Sequence, residues 1–392
     1  MDRIEPTITQ LYSSGFGVLG QPNFTTATTA TTQNGVQFTT SVFIDSTGNA
    51  WVADSNNNRV IMYAPPFSNG MNASLVLGQA NFTSKVAATT QNGMYDPYSV
   101  FIDSTGNAWV ADNNNYRVLM YAPPFSNGMN ASLVLGQANF TSKVAATTQN
   151  GMYDPYSVFI DSTGNAWVSD NSLSRVTMYA PPFSNGMNAS LVLGQPSFTT
   201  NVLAVTQNGM GQPSSVFIDS TGNAWVSDNS LSRVTMYAPP FSNGMNASLV
   251  LGQPNFTSDT SAVTQNGMYD PTSVFIDSTG NAWVADSSNN RVIMYAPPFS
   301  NGMNASLVLG QASFTTSATA VTQNGMYDPY SVFIDSTGNA WVADSSNMRV
   351  LMYAPPFSNG MNAGATSNSL YSSVVYPRKN LFYNPKAGVV KL

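Results

Sequence analysis

The chain lacks cysteine and histidine, has a single glutamate (Glu5), and carries few charges of either sign. Asp, Glu, Lys and Arg make up 8% of its 392 residues, against roughly 25% in an average soluble domain. These absences exclude disulfides, thiolate chemistry, Ser-His-Asp and Cys-His triads, and any His- or Cys-ligated zinc centre within the chain. A net charge of −6 argues against nucleic acid, whose binders need a basic surface to displace phosphate counterions. Long apolar runs are missing too. None approaches the roughly 18–20 residues of a membrane span.

What is present is a repeat. The string SVFIDSTGNAWV begins at Ser41, Ser99, Ser157, Ser215, Ser273 and Ser331, always 58 residues apart. A length that would suggest two or three domains is therefore one domain of stacked units. Each unit reads as four short strands. In the second copy they are Val100-Phe101-Ile102, ending at the turn Asp103-Ser104-Thr105-Gly106-Asn107; Ala108–Ala111, closed by Asp112 and an Asn-rich turn; Arg117–Tyr121, stopped by Pro123-Pro124; and Leu133-Val134-Leu135, ending at Gly136. Proline cannot donate to a ladder, and glycine suits a hairpin position that needs positive φ. A Thr- and Asn-rich crossover leads to the next unit.

Repeated four-stranded antiparallel units imply an all-β, six-bladed β-propeller, in which each small sheet buries both faces against its neighbours. The termini suggest how the ring closes. After the last unit the chain reads Asn362-Ala363-Gly364-Ala365-Thr366-Ser367, so that blade lacks its outer strand. The missing piece is at the other end, where Gly17-Val18-Leu19-Gly20-Gln21 aligns with Leu75-Val76-Leu77-Gly78-Gln79. The expected organisation is a propeller over residues 1–363, with 1–16 an extension and 17–21 the closing outer strand, followed by a basic tail over 364–392.

The pattern Pro97-Tyr98-Ser99-Val100-Phe101-Ile102-Asp103, then Gly106-Asn107-Ala108-Trp109-Val110-Ala111-Asp112, then Arg117-Val118, resembles the NHL repeat of six-bladed propellers. The resemblance holds in all six copies, over about 40 of each 58 residues. It implies the fold. It does not fix a function, because NHL propellers include protein- and RNA-binding modules and an amidating lyase. The RNA-binding members are basic on one face and the lyase uses histidine metal ligands. This chain has neither feature.

Several recurring residues could carry chemistry. Asp54/Arg59, Asp112/Arg117, Asp170/Arg175, Asp228/Arg233, Asp286/Arg291 and Asp344/Arg349 bracket the turn between second and third strands, where a charge-assisted bond would fix the hairpin. Asp45, Asp103, Asp161, Asp219, Asp277 and Asp335 end the innermost strand. They could form a carboxylate ring for a hard cation such as calcium, or accept backbone N–H bonds within their own turns. The latter is the expectation, so no metal and no cofactor is assigned. Trp51, Trp109, Trp167, Trp225, Trp283 and Trp341 occur once per blade, as wedges between blades or as a sugar platform. Asn-x-Ser/Thr acceptors stand at Asn23, Asn72, Asn81, Asn130, Asn139, Asn188, Asn246, Asn255 and Asn304, all in or beside connections, where a secreted chain would carry glycans.

Alternating strand directions put the Asp-Ser-Thr-Gly-Asn turns and Pro-Pro-Phe loops on one, nearly uniform face. The Asn-rich turns and crossovers fall on the other, which carries the variation, including Lys85, Lys143, Asp259 and Gln212. Few residues are singular enough for one catalytic centre, so no enzymatic activity is expected. Residues 364–392 contain Arg378, Lys379, Lys386 and Lys391 and no acid, whereas residues 41–363 hold 8 basic and 17 acidic side chains. That tail also has strand-like Val374-Val375-Tyr376, able to add to a sheet edge.

The leading expectation is thus a non-enzymatic, self-assembling extracellular structural protein, forming a filament or surface layer as terminal segments dock on a neighbour. The alternative is a binding module for glycans or proteins, and a third is an NHL-like lyase or hydrolase. Met1-Asp2-Arg3-Ile4-Glu5 does not open a signal peptide. The extracellular expectation rests on the Asn, Thr and Ser content and the acceptor sites.

Overall fold

The computed structural model describes residues 16–364. It shows six four-stranded antiparallel sheets arranged as a ring of blades. Blades 1 to 5 each come from one stretch of chain, with inner strands at Thr39–Ile44, Pro97–Ile102, Pro155–Ile160, Pro213–Ile218 and Pro271–Ile276. Blade 2 continues through Ala108–Asp112, Arg117–Tyr121 and Leu133–Leu135. In blade 6 the inner strands Pro329–Ile334, Ala340–Asp344 and Arg349–Tyr353 are completed by Val18–Leu19 from the other end of the chain, pairing Val18 with Leu351 and Leu19 with Val350.

Three local differences from the sequence reading have physical causes. The inner strands begin three residues earlier than the apolar run suggests, at Pro97 in blade 2, with a register shift between Pro97 and Ser99. Proline is tolerated there because the strand edge faces the ring axis and needs no donor. The Asn-rich turn is a single 3-10 turn, Asn113–Asn115, whose capping residue Tyr116 is left-handed at φ 56. The closing strand spans two residues rather than five. Asn69 Oδ1 takes up the N–H groups of Gly17 and Val18, and Gly20 turns the chain away at φ 81.

Aromatic contacts run between blades. Each tryptophan is at most 2% exposed and meets, edge to face, the phenylalanine from the Pro-Pro-Phe loop of the following blade. Trp51 and Phe125 are 5.1 Å apart, and Trp341 and Phe67 close the circle at 5.4 Å. Nearer the axis, Phe43, Phe101, Phe159, Phe217, Phe275 and Phe333 form a closed ring with neighbouring centroids 4.7–4.8 Å apart. Serine hydroxyls add a second belt. Ser41 accepts from Val100 N–H, and so on round to Ser331 and Val42 N–H, at 3.0–3.4 Å. The central channel is therefore crossed by a phenylalanine layer.

The seam between blades 6 and 1 has one element the other interfaces lack. Phe16 is fully buried, stacked on Phe67 at 5.4 Å and tilted against Trp341 at 5.9 Å. Intact blades carry serine at this position (Ser74, Ser132, Ser190, Ser248, Ser306).

Candidate binding site

The six Asp–Arg pairs are ion pairs at 2.7–3.1 Å with both side chains completely buried. Each pair spans its hairpin turn, and the arginine also reaches beyond the hairpin. Besides binding Asp112 Oδ2 through Nε, Arg117 donates to the carbonyls of Thr90 and Gly93 at 2.9 Å and to that of Phe140. One guanidinium thus joins the crossover entering the blade to the crossover leaving it.

The other five arginines do the same. Arg59, paired with Asp54, donates to the carbonyls of Thr32, Gly35 and Phe82. Arg175, paired with Asp170, reaches those of Thr148, Gly151 and Phe198. Arg233, paired with Asp228, reaches Thr206, Gly209 and Phe256. Arg291, paired with Asp286, reaches Thr264, Gly267 and Phe314. Arg349, paired with Asp344, takes Thr322 and Gly325 together with Phe24 from the far end of the chain. The physical reason is the donor set. A guanidinium carries five N–H groups in a rigid fork, and the aspartate engages only part of it, so a buried arginine must find carbonyls elsewhere. Asp112 also accepts from Asn115 and from the N–H of Tyr95. Committed to protein partners in this way, the pairs are internal braces and not sites for a ligand.

The inner-strand aspartates are likewise used locally. Asp103 Oδ1 accepts from the N–H groups of Thr105 and Asn107 and from the Thr105 hydroxyl, while Oδ2 accepts from Asn107 Nδ2 and from the indole of Trp109 at 2.8 Å. Burial pushes the carboxyl up, but these hydrogen bonds outweigh it and hold Asp103 below the ordinary aspartate value. Among the described residues no group of three or more acidic side chains is arranged to hold a metal ion. The tryptophans are wedges with an added polar task, the indole–carboxylate bond, which the sequence did not reveal. All nine acceptor asparagines are exposed. The tail residues Val374, Val375, Tyr376, Arg378, Lys379, Lys386 and Lys391 lie outside the described residues.

Among the described residues, the channel mouth on the crossover face is strongly asymmetric. The residue after each inner-strand threonine or proline projects there: Thr40, Tyr98, Tyr156, Ser214, Thr272 and Tyr330. Tyr98 packs on Tyr156 at 4.5 Å and on Tyr330 at 5.7 Å. The three tyrosines crowd one side, and burial raises their phenols, Tyr156 to about 12. Over blades 4 and 5, where Ser214 and Thr272 replace tyrosine, a cavity of about 290 Å³ opens. Its wall is almost entirely polar, with carboxylates from Asp154, Asp270 and Asp328, amides from Asn171, Gln212 and Asn229, and the hydroxyls of Ser172, Ser287 and Ser288. A smaller cavity of about 100 Å³ lies deeper, bounded by the tyrosines, the serine belt and Phe43.

The carboxylates are oriented by their neighbours. Ser172 donates to Asp154 and Ser288 to Asp270, both at 2.8 Å, while Ser287 reaches across the blade interface to Asp328. Burial holds Asp154 above its ordinary value. Each aspartate keeps free acceptor capacity toward the cavity. Sequence reasoning singled out Gln212 but missed Tyr98, Tyr156 and Tyr330. The available signal was the changing residue in the otherwise constant Pro-x-Ser string.

No family model matches the chain, and no curated protein matches it either. Solved structures do. A Bacteroides thetaiotaomicron protein of unknown function overlaps 86% of this chain and 75% of its own, at 14% identity and TM-score 0.55. An auxiliary nutrient binding protein from the same organism overlaps 86% and 76%, at 9% identity and TM-score 0.52. A virginiamycin B lyase from Staphylococcus aureus overlaps 81% and 94% at 9% identity, with a TM-score of 0.46 that carries no inference. At these identities the shared property is the β-propeller fold. Among the described residues no helix is long and apolar enough to cross a membrane.

Proposed function

We propose that this NHL-like propeller is a non-enzymatic binding module, and that its ligand seats in the off-centre cavity over blades 4 and 5. One observation carries the reading. In a ring whose blades are otherwise near copies, tyrosine is absent from the neighbouring positions Ser214 and Thr272, of which Thr272 lines the larger cavity and Ser214 the deeper one, and the larger is walled by oriented acceptors. A volume of about 290 Å³ is at the small end of ligand pockets. The chemistry suits a ligand of single-sugar size, rich in hydroxyl or amino donors, with the neighbouring tyrosine rings offering apolar faces. Exposure of the nine acceptor asparagines supports an extracellular or cell-surface location.

The test uses residues the fold already accepts. Ser214→Tyr and Thr272→Tyr copy blades 2, 3 and 6 and should fill the cavity without disturbing the ring. Calorimetry against mono- and disaccharides and amino sugars should show binding to the parent that either substitution abolishes, with melting temperature unchanged. Binding that survives both substitutions, or none across the panel, overturns the reading.

A second reading, self-association through the terminal segments, is favoured by one fact. Gly17 and Gly364 are adjacent, so the stretches before residue 16 and after residue 364 lead off from one place. Replacing Arg378, Lys379, Lys386 and Lys391 with alanine should then dissolve assemblies visible by electron microscopy. Single particles at high concentration for the parent would refute it.

A further inference from the structure

The variation on the crossover face is self-complementary. At one repeated position the crossovers carry Ala27, Lys85, Lys143, Asn201, Asp259 and Ser317. Lys85 and Asp259 are three blades apart, hence diametrically opposed at equal radius. Both are exposed, and among the described residues the ion pairs are confined to the six buried Asp–Arg couples. At the next position Val86, Val144 and Val202 are 66%, 62% and 61% exposed, with Leu203 beside them at 54%. The opposite crossovers have Thr28, Thr260 and Ala318 there. Three consecutive crossovers thus present an aliphatic arc that nothing in the described chain covers, a feature that marks interaction surfaces.

We propose that the protein pairs face to face with a second copy of itself, about a twofold axis that lies in the plane of the crossover face and runs through blades 3 and 6. That operation sets blade 1 against blade 5 and blade 2 against blade 4. Lys85 then meets Asp259 of the other copy, and by symmetry the contact occurs twice. Val144 meets Val202 and Leu203, again twice, so the middle of the arc covers itself. Large residues meet small ones where blade 2 faces blade 4: Tyr95 is set against Gly211, and Tyr98 against Ser214. Asp96 there faces the neutral Gln212. Asp154 and Asp328 meet their own copies near the axis, a like-charge cost that the half-buried position of these groups in the mouth reduces by distance.

Among the in-plane axes a sixfold ring allows, one other sets a lysine against Asp259, using Lys143. That amine already sits over the rings of Tyr95 and Tyr116, at 4.6 and 5.5 Å. The alternative axis would also leave Val144 opposite Thr260 and Val86 opposite Ala318. Among the described residues Lys85 has no such ring contact, and its axis brings Val144, Val202 and Leu203 of both copies together, whereas the other sets only Val202 and Leu203 against their own copies. Pairing would cover the mouth that leads to the cavity, so ligand and second copy compete for one face; the two readings fail separately, because dimerisation of the parent and ligand binding by the monomeric single variants are different readouts.

The experiment is a charge swap on the full chain, produced without N-glycans and followed by sedimentation equilibrium. The parent should dimerise. Lys85→Asp and Asp259→Lys should each weaken the dimer by roughly tenfold or more, since each turns two attractions into repulsions across the interface. Mixing the two single variants should restore pairing, because in that heterodimer both contacts are again opposite in sign. The double variant K85D/D259K should pair with itself as the parent does. A parent that stays monomeric at roughly 100 µM, single variants that pair normally, failed rescue in the mixture, or rescue by K143D/D259K instead would overturn the proposal. Circular dichroism of each variant confirms that a lost dimer is not a lost fold.

Discussion

Gly17 and Gly364 occupy, in the last blade, the two consecutive positions that Leu307 and Ser306 fill in the blade before it. Met352 donates its N–H to the Gly17 carbonyl and accepts from Gly364 N–H, and a Cβ on Gly17 would come within 2.6 Å of the Gly364 Cα. Two chain segments converge where an intact blade has one, and both are glycine. Gly17→Leu, which restores the residue found in the other blades, should destabilise by about 1–3 kcal/mol through overpacking, visible in urea denaturation. Joining residue 364 directly to residue 17 and opening the ring in another crossover should give a chain with the same far-UV spectrum.

The buried ion pairs predict an asymmetry. Arg117→Met leaves Asp112 charged in a fully buried site, which should cost about 3–5 kcal/mol. Asp112→Asn in the same chain should return part of that loss, because the uncompensated charge is gone. The parent, single and double variants in one denaturation series measure it. Equal losses in the single and double variants would contradict the assignment.

Acid stability should trace the inner-strand turns. Asp45, Asp103, Asp161, Asp219 and Asp277 are all held below the ordinary carboxyl value in the fold. A carboxyl with a depressed folded-state pKa stabilises the native state above the unfolded value of about 3.9, and that contribution drains away as pH falls through the folded value. Thermal stability should therefore decline below about pH 4. Trp109→Phe deletes the indole donor to Asp103 and brings its folded value up toward the unfolded one, so the acid-side decline should become shallower, besides a cost of about 1–3 kcal/mol at neutral pH.

The strands, blade count and ring closure were legible because a 58-residue repeat aligned six copies of the same alternation and breakers. The turn role of Asp103 was legible for the same reason. The reach of Arg117 to Thr90, Gly93 and Phe140 was not, since those carbonyls lie on crossovers that only the folded ring brings beside the hairpin. Nor was the bond from Trp109 to Asp103, which depends on an indole edge folding back over its own turn. The phenylalanine ring was hidden as well: the first strand could be placed innermost, but its alternation does not say which of its side chains meet one another around the axis. At the mouth, the informative residues differ by one letter per repeat, and only circular closure sets Tyr330 beside Tyr98.

Glycans give a further check on the crossover face. Asn81, Asn139 and Asn255 lie on the same crossovers as Lys85, Val144 and Asp259, and Thr83 donates both its N–H and its hydroxyl to Asn81 Oδ1. Sugars there would stand in the way of a second propeller. Material made in a glycosylating host should carry added mass at these sites by peptide mass spectrometry and sediment as a monomer. Enzymatic deglycosylation should return the dimer.

A chain of near-identical repeats faces a sorting problem as it folds, because its strands could pair in the wrong blade and close a ring of the wrong size. Phe16 bears on this. The outer-strand sequence Val-Leu is common to all copies, but only the N-terminal one follows a phenylalanine that fits between Phe67 and Trp341. Burial of that side chain at the closing seam would favour pairing of the first strand with the last blade. Fidelity of ring size in this protein would then be written in a single residue outside the repeat.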